Sequence, residues 1–250
     1  MSNGLTMPDP RTYERELEFM PYRDSLVAVA AYVIKVAPEN GNVLDLMCGP
    51  GFLLGVLAMR RPDLKLTGVD IDQRYIDYAR KKYPRVRFEQ KNILDWQTDE
   101  RFDGVLCTGA LHHIPYGQQE KALERMASFS TPEGLVVLSD CYVNDYSNGR
   151  ERKLAAAELG YEYLRATIEN NAPDDVIQAT ADIIANDVLT REFKTSLAKR
   201  LESIERFFQI EGTIKTWPAY PTRYGDYVHF LSLKDSPKQC LRVIAAERTR

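Results

Sequence analysis

"VLDLMCGPGFLLG", residues 43–55, is an apolar run that reaches an acid, breaks into glycines and resumes as a second apolar run. It reads as a buried strand, a tight turn and the start of a helix. A glycine-rich turn between a strand and a helix lets backbone approach a ligand closely, and the helix N-terminus presents free amides to it. The flanks extend the pattern. "YRDSLVAVAAYVIKVA" (22–37) predicts a helix closed by "PENG", and "LKLTGVDID" (64–72) predicts a second strand. "DQRYIDYARKKY" reads as a helix capped by Asp72. "VRFEQKNILDW" carries a third strand and "FDGVLCTGAL" (102–111) a fourth. "GQQEKALERMASFS" is a helix, "TPEG" a turn and "LVVLSDCYV" a fifth strand. Continuously apolar strands alternating with helices imply an α/β fold, a parallel sheet covered on both faces.

After the fifth strand the rhythm changes. Residues 149–189 contain no strand signal and predict two helices joined at "NNAPDD", with Pro173 at the start of the second. "REFKTSLAKRLESIERF" (191–207) predicts a third helix. "FQIEGTIKTW" and "YVHFLSLK" are β-like runs joined by "PAYPTRYGD", too short for a crossover helix, so they should pair antiparallel. The expected fold has three layers, with five parallel strands and a C-terminal antiparallel hairpin. The division follows: an N-terminal helical cap (1–40), a core (41–148 and 190–235) and a helical insertion (149–189).

Composition sets limits. The chain has 250 residues, 44% of them hydrophobic, and a formal net charge of -3. That allows one domain with an insertion, and the sequence carries no basic face with interleaved aromatics, which speaks against nucleic acid. Cys48, Cys107, Cys141 and Cys240 form no CxxC pair. They read as unpaired thiols in a reducing cytoplasm, and Cys107 as a buried strand thiol rather than a nucleophile. No metal is expected. The N-terminal stretch has no apolar signal core, and no run is long enough to span a membrane.

The order of elements and the run "VLDLMCGPG" resemble class I S-adenosylmethionine-dependent methyltransferases, the Rossmann-like group, with "GVDID", "NILDW", "LHHIP" and "TPEGLVVLSD" where that family carries its later motifs. A weaker similarity runs to carboxy-S-adenosylmethionine synthase, which shares the helical insertion and the tail hairpin. The resemblance implies S-adenosyl-L-methionine as cofactor and a small or medium-sized acceptor. It leaves O-, N- or C-methylation open and allows a homodimer. Asp45 would face the methionine ammonium or the loop amides, Gly49 and Gly51 would admit the ligand, and Asp70 would take the ribose hydroxyls. Ile71 would cover one adenine face. Asn92 would accept from the adenine amine, Ile93 would donate its amide, and Asn92 stands where Asp is commoner. Thr108 would leave room beside the sulfonium, and Tyr13 and Tyr22 would lie in an N-terminal segment folded over the cofactor. His113, one of the adjacent pair His112 and His113, is the candidate base. The insertion would act as a lid whose Tyr161, Tyr163, Arg150, Arg152 and Arg165 shape the acceptor pocket.

Two other classes remain open on the sequence: a cofactor-binding regulatory protein without turnover, and an NAD-dependent oxidoreductase. The dinucleotide fingerprint wants a third glycine three residues after Gly51, where Leu54 stands.

Overall fold

A computed structural model describes residues 9–234 of the chain, so Cys240 and the extreme N-terminus lie outside the described residues. The first apolar run forms β1 (Asn42–Leu46), buried over its last four residues. It pairs parallel with β2 (Lys65–Asp70) on one side and β4 (Phe102–Thr108) on the other. Beyond these lie β3 (Arg87–Gln90) and β5 (Ser130–Tyr142), also parallel. The chain returns as β6 (Phe208–Trp217) and β7 (Gly225–Leu233), and β7 inserts antiparallel between β5 and β6. The order is therefore β3-β2-β1-β4-β5-β7-β6, the five parallel strands and closing hairpin expected.

Successive residues of a strand point to opposite faces. Val43 accordingly packs with α2 (Tyr22–Val36), α3 (Phe52–Arg60) and α4 (Gln73–Lys82), while Leu44 packs with α5 (Tyr116–Phe129) on the other side. That alternation makes the three layers. Asp72 caps α4 as expected, its carboxylate accepting the amide of Arg74 at 2.9 Å. A short helix not foreseen, α1 (Pro10–Glu16), starts on Asp9, whose carboxylate accepts the amide of Arg11 at 3.0 Å. Glu14 of α1 binds Lys82, Tyr78 and Tyr83, and Arg15 pairs with Asp175, so α1 bridges the core and the insertion.

The insertion holds α6 (Gly149–Glu169), α7 (Asp174–Ile183) and a π-helical turn, Ile184–Val188. Pro173 stands immediately before α7, with Asp174 and Asp175 in the first turn. Negative charge is favoured at that helix end.

Two expectations need correction. "TPEG" is not a free turn: β5 begins at Ser130, which pairs with Phe102, and the register shifts before Gly104 meets Leu135. The helix expected over 191–207 is helical only in α8 (Leu197–Ile204). Residues before Ser196 run extended because their backbone groups find partners elsewhere. The amide of Phe193 donates to the carbonyl of His112 at 2.7 Å, and Val143 donates to Thr195 at 3.2 Å. This strap carries Glu192 and Lys194 inward, both buried.

Candidate active site

The C-terminal ends of β1, β2 and β4 open onto a cavity of about 560 Å³. In an open α/β sheet this is where ligands bind. Every expected site residue except Gly51 lines it. Gly49 sits at φ 53°, and a Cβ there would project into open space. Gly51 has another role. It begins α3 at φ 83°, and a Cβ would come within 2.7 Å of the Phe88 ring. Its lack of a side chain is needed for packing against Phe88 and Ala79.

Asp70 ties the turn to β2. One carboxylate oxygen accepts the amide of Gly49 at 2.9 Å and the other accepts that of Asp72 at 2.8 Å. Each oxygen retains a lone pair for a further donor. Asp45 is 1% exposed, and its Oδ1 has no hydrogen-bond partner. Burial, and then the neighbouring Asp70, pushes its carboxyl well above the usual range. A buried, unsatisfied carboxylate oxygen against a cavity is a place prepared for a donor such as an ammonium. With the open space at Gly49, it fits the methionine end of the expected cofactor. Ile93 is buried and Ile71 lies at the rim, 65% exposed. Asn92 also holds its local turn: its Oδ1 accepts the amide of Leu94 at 3.1 Å and its Nδ2 donates to Asp95 at 2.9 Å. Both ends of the amide are engaged in the local turn, as is common for Asn in loops.

Tyr22 roofs the cavity. Its phenol and Thr108 both line the cavity, and a Cβ on Gly109, which sits at φ 58°, would lie 2.5 Å from the Tyr22 ring. Only glycine suits that position on both counts. A second cavity of about 120 Å³ adjoins the first, sharing Tyr13, Leu17, Tyr22, Gly109 and His113 as walls. Its far side is Leu159, Gly160 and Tyr163 of α6, then Ile183, Ile184 and Val188. Of the insertion residues singled out earlier, Tyr163 alone lines it. Tyr161 is 64% exposed, Arg150 is exposed, Arg165 pairs with Glu162 and Glu169, and Arg152 lies over the Tyr116 ring.

The polar end of this second cavity comes largely from residues the sequence did not single out. His112 Nδ1 is 2.5 Å from Asp140, and its Nε2 is 3.7 Å from Glu192. Lys194 pairs with Glu192 at 2.6 Å and donates to the Cys141 sulfur at 2.9 Å. Burial and Lys194 oppose charge on His112, but Asp140 and Glu192 outweigh them and raise it to about 10. Asp140 stays near 2 despite burial, held down by His112, and Glu192 also stays near 2 against burial, held down by Lys194 and His112. His113 behaves oppositely: burial and then the adjacent His112 lower it to about 3. The neutral imidazole lines both cavities, with Nδ1 buried and without a hydrogen-bond partner. His112, Asp140 and Cys141, and likewise His112, His113 and Glu192, have the spacing of metal ligands. Here the Lys194 ammonium stands among them as a cation.

The protonation pattern is measurable. The His112 ring resonances should show no inflection between about pH 6 and 8, its charged form persisting as pH rises until about 10. Asp140→Asn should bring an inflection into that window. A titration near the unperturbed histidine value of about 6.5 in the parent protein would contradict this ion pair.

Residues 43–134 match the family model described as a methyltransferase domain. That stretch, less than half of the chain, is similar to a methyltransferase domain. Among curated relatives, trans-aconitate 2-methyltransferase of Variovorax paradoxus is 32% identical over 102 residues, covering 40% of this chain and 39% of that protein. The enzyme of the same name from Escherichia coli O157:H7 is 29% identical over 105 residues, 42% of this chain and 41% of its own. The chain thus matches about two fifths of the length of these relatives. The fold is that of class I S-adenosylmethionine-dependent methyltransferases. The N-methyltransferase NodS of Bradyrhizobium japonicum, solved with S-adenosyl-L-homocysteine, superposes with a TM-score of 0.59 at 14% identity, over 88% of this chain and 91% of its own. Magnesium protoporphyrin IX methyltransferase of Synechocystis superposes with a TM-score of 0.56 at 18% identity, over 85% of this chain and 84% of its own.

Proposed function

We propose that the protein transfers a methyl group from S-adenosyl-L-methionine to a small organic acceptor, and that the two adjoining cavities hold the donor and the acceptor. The observation that carries this reading is the unpartnered buried Asp45 oxygen beside the open space at Gly49, in a domain that matches methyltransferases. Asp45 would accept from the methionine ammonium, and the amides opening α3 would face its carboxylate. The free lone pairs of Asp70 would accept from the ribose hydroxyls. Ile71 and Ile93 would bracket the adenine. The bound cofactor supplies a methyl on a sulfonium already activated for displacement. The chain then has chiefly to align the acceptor with it and exclude water. Tyr22, Thr108, Gly109 and His113 would form the throat between the cavities, His113 positioning the acceptor.

Residues 149–189 would be the acceptor lid, since Leu159, Tyr163 and Ile184 wall the second cavity. The curated relatives are named for trans-aconitate, but the family match spans 43–134 and leaves out these walls. Among the described residues no helix is long and apolar enough to cross a membrane, and Cys48, Cys107 and Cys141 are free thiols. We place the protein in the cytoplasm on the thiols. A variant joining Asn148 to Thr190 through a short glycine linker tests the lid. It should still bind S-adenosylhomocysteine and lose acceptor turnover by at least a hundredfold, on the order of the misplacement penalty for a catalytic assembly. Retained turnover would remove the insertion from the acceptor site.

A further inference from the structure

The second cavity is mostly apolar, walled by Leu17, Met20, Leu159, Ile183 and Val188, and at about 120 Å³ it holds only a small body. Its polar end is built from buried groups of both signs. Glu192 and Lys194 are 5% and 6% exposed at their side chains and stand 2.6 Å apart. The ammonium has three donors; the Cys141 sulfur takes one, and Glu192 Oε2 stands 2.6 Å away as an ion pair without a hydrogen-bond partner of its own. The 3.7 Å between His112 Nε2 and Glu192 Oε1 is too long for a hydrogen bond. One donor of Lys194, one of the charged His112 and one oxygen of Glu192 therefore retain hydrogen-bonding capacity at the same end of the cavity.

We infer that this cavity selects an acceptor with an apolar body and one neutral hydroxyl, and that Glu192 receives the hydroxyl proton. The inference rests on the methyl-transfer reading above. A hydroxyl oxygen accepts from Lys194 or His112 while its own proton is donated to Glu192, which satisfies groups of both signs. An acceptor carboxylate would set a second anion against Glu192. An ammonium would set a cation against Lys194 and His112. Either leaves a buried charge opposed. In the reaction the acceptor oxygen forms the new bond to the methyl carbon as the sulfur–methyl bond breaks. That bond's electron pair stays on sulfur, which leaves as a neutral thioether. Bond formation to the methyl carbon makes the oxygen oxonium-like and its proton strongly acidic, so the proton passes to the Glu192 carboxylate late in the step, although that carboxylate is itself a weak base, giving a neutral acid and a methyl ether.

The test uses the full chain with S-adenosylhomocysteine bound, and small phenols and alcohols as probes beside carboxylates and amines of matched size, such as p-cresol, benzoate and benzylamine. Calorimetry reads binding, and turnover with S-adenosylmethionine reads methylation. Hydroxyl probes should bind at least tenfold tighter than their matched acids and amines and should alone be methylated. Glu192→Gln should keep S-adenosylhomocysteine binding and change hydroxyl-probe binding by less than about tenfold. It should slow methylation by roughly 10²–10⁴-fold, the usual share of a proton-transfer group, with Glu192→Asp intermediate. If Glu192→Gln leaves Lys194 unpaired and melts early, the double variant with Lys194→Met removes both charges and should still bind S-adenosylhomocysteine without turning over. Methylation of the acids or amines in preference, no binding of any hydroxyl probe, or turnover at the parent rate in Glu192→Gln would each overturn the inference. Failure of S-adenosylhomocysteine to bind the parent would instead strike the methyl-transfer reading.

Discussion

Asp70→Ala should lower affinity for S-adenosylhomocysteine by about two to four orders of magnitude. The carboxylate is 8% exposed, so its bonds are sheltered from solvent. Hydrogen bonds to a charged group contribute about 1.5–3 kcal/mol each. Loss of two ribose bonds gives that range, at about 1.4 kcal/mol per tenfold. The variant should also melt earlier, because the same carboxylate holds the amides of Gly49 and Asp72. Both effects should therefore appear together. Calorimetry and thermal unfolding on one preparation separate them. A variant that melts earlier yet binds normally would reduce Asp70 to a clamp on the turn and remove its ribose role.

Gly51→Val should be the most damaging single change to the fold, while Gly49→Ala should damage binding instead. At φ 83° a side chain costs about 1–2 kcal/mol for the left-handed backbone. Its Cβ would also meet the Phe88 ring at 2.7 Å and the Ala79 Cβ at 3.2 Å. Overpacking of that kind costs about 1–3 kcal/mol more. The sum, roughly 2–5 kcal/mol, is a large part of the stability of an ordinary domain and should lower Tm by roughly 5–20 °C. Gly49 also has a positive φ, but nothing lies within 4 Å of the added Cβ. Gly49→Ala should therefore lose only a few degrees while its methyl enters the cofactor cavity and weakens S-adenosylhomocysteine. Equal melting losses for the two variants would contradict the division of labour between these glycines.

The contrast between Gly49 and Gly51 shows where the sequence is legible and where it stops. Strand, turn and helix can be read from residues 43–55 because burial on both faces forces an apolar run and the turn needs glycine locally. Asp45 and Asp70 can be read because strand ends face the crevice. What the missing side chain of Gly51 faces depends on Phe88, a residue far along the chain, and no local pattern records it. Asn92 is similar: its type suits either a ligand contact or a turn, and its bonds to Leu94 and Asp95 hold the turn while its Oδ1 keeps a second lone pair at the cavity.

The strap before α8 is the larger omission. Its helical periodicity is overridden by backbone bonds to His112 and by the pairing of Val143 with Ser196. A local signal was present. Ser196 is a good helix-starting residue, and Glu192 and Lys194 alternate with Phe193 as strand residues do. The partners that give Glu192 and Lys194 meaning, His112 and Cys141, come from other elements. Tyr161 and the insertion arginines stood out by residue type, yet helical phase turns most of them to solvent, which the coarse reading of 149–189 did not resolve.

The central claim is that the cavity at the ends of β1, β2 and β4 binds S-adenosylmethionine. The most direct measurement is a calorimetric titration of the full chain with S-adenosylhomocysteine, paired with one of NAD. The account predicts saturable binding of S-adenosylhomocysteine at one site per chain, unaffected by excess NAD. No heat with S-adenosylhomocysteine at high protein concentration, alongside clear binding of NAD, would contradict it.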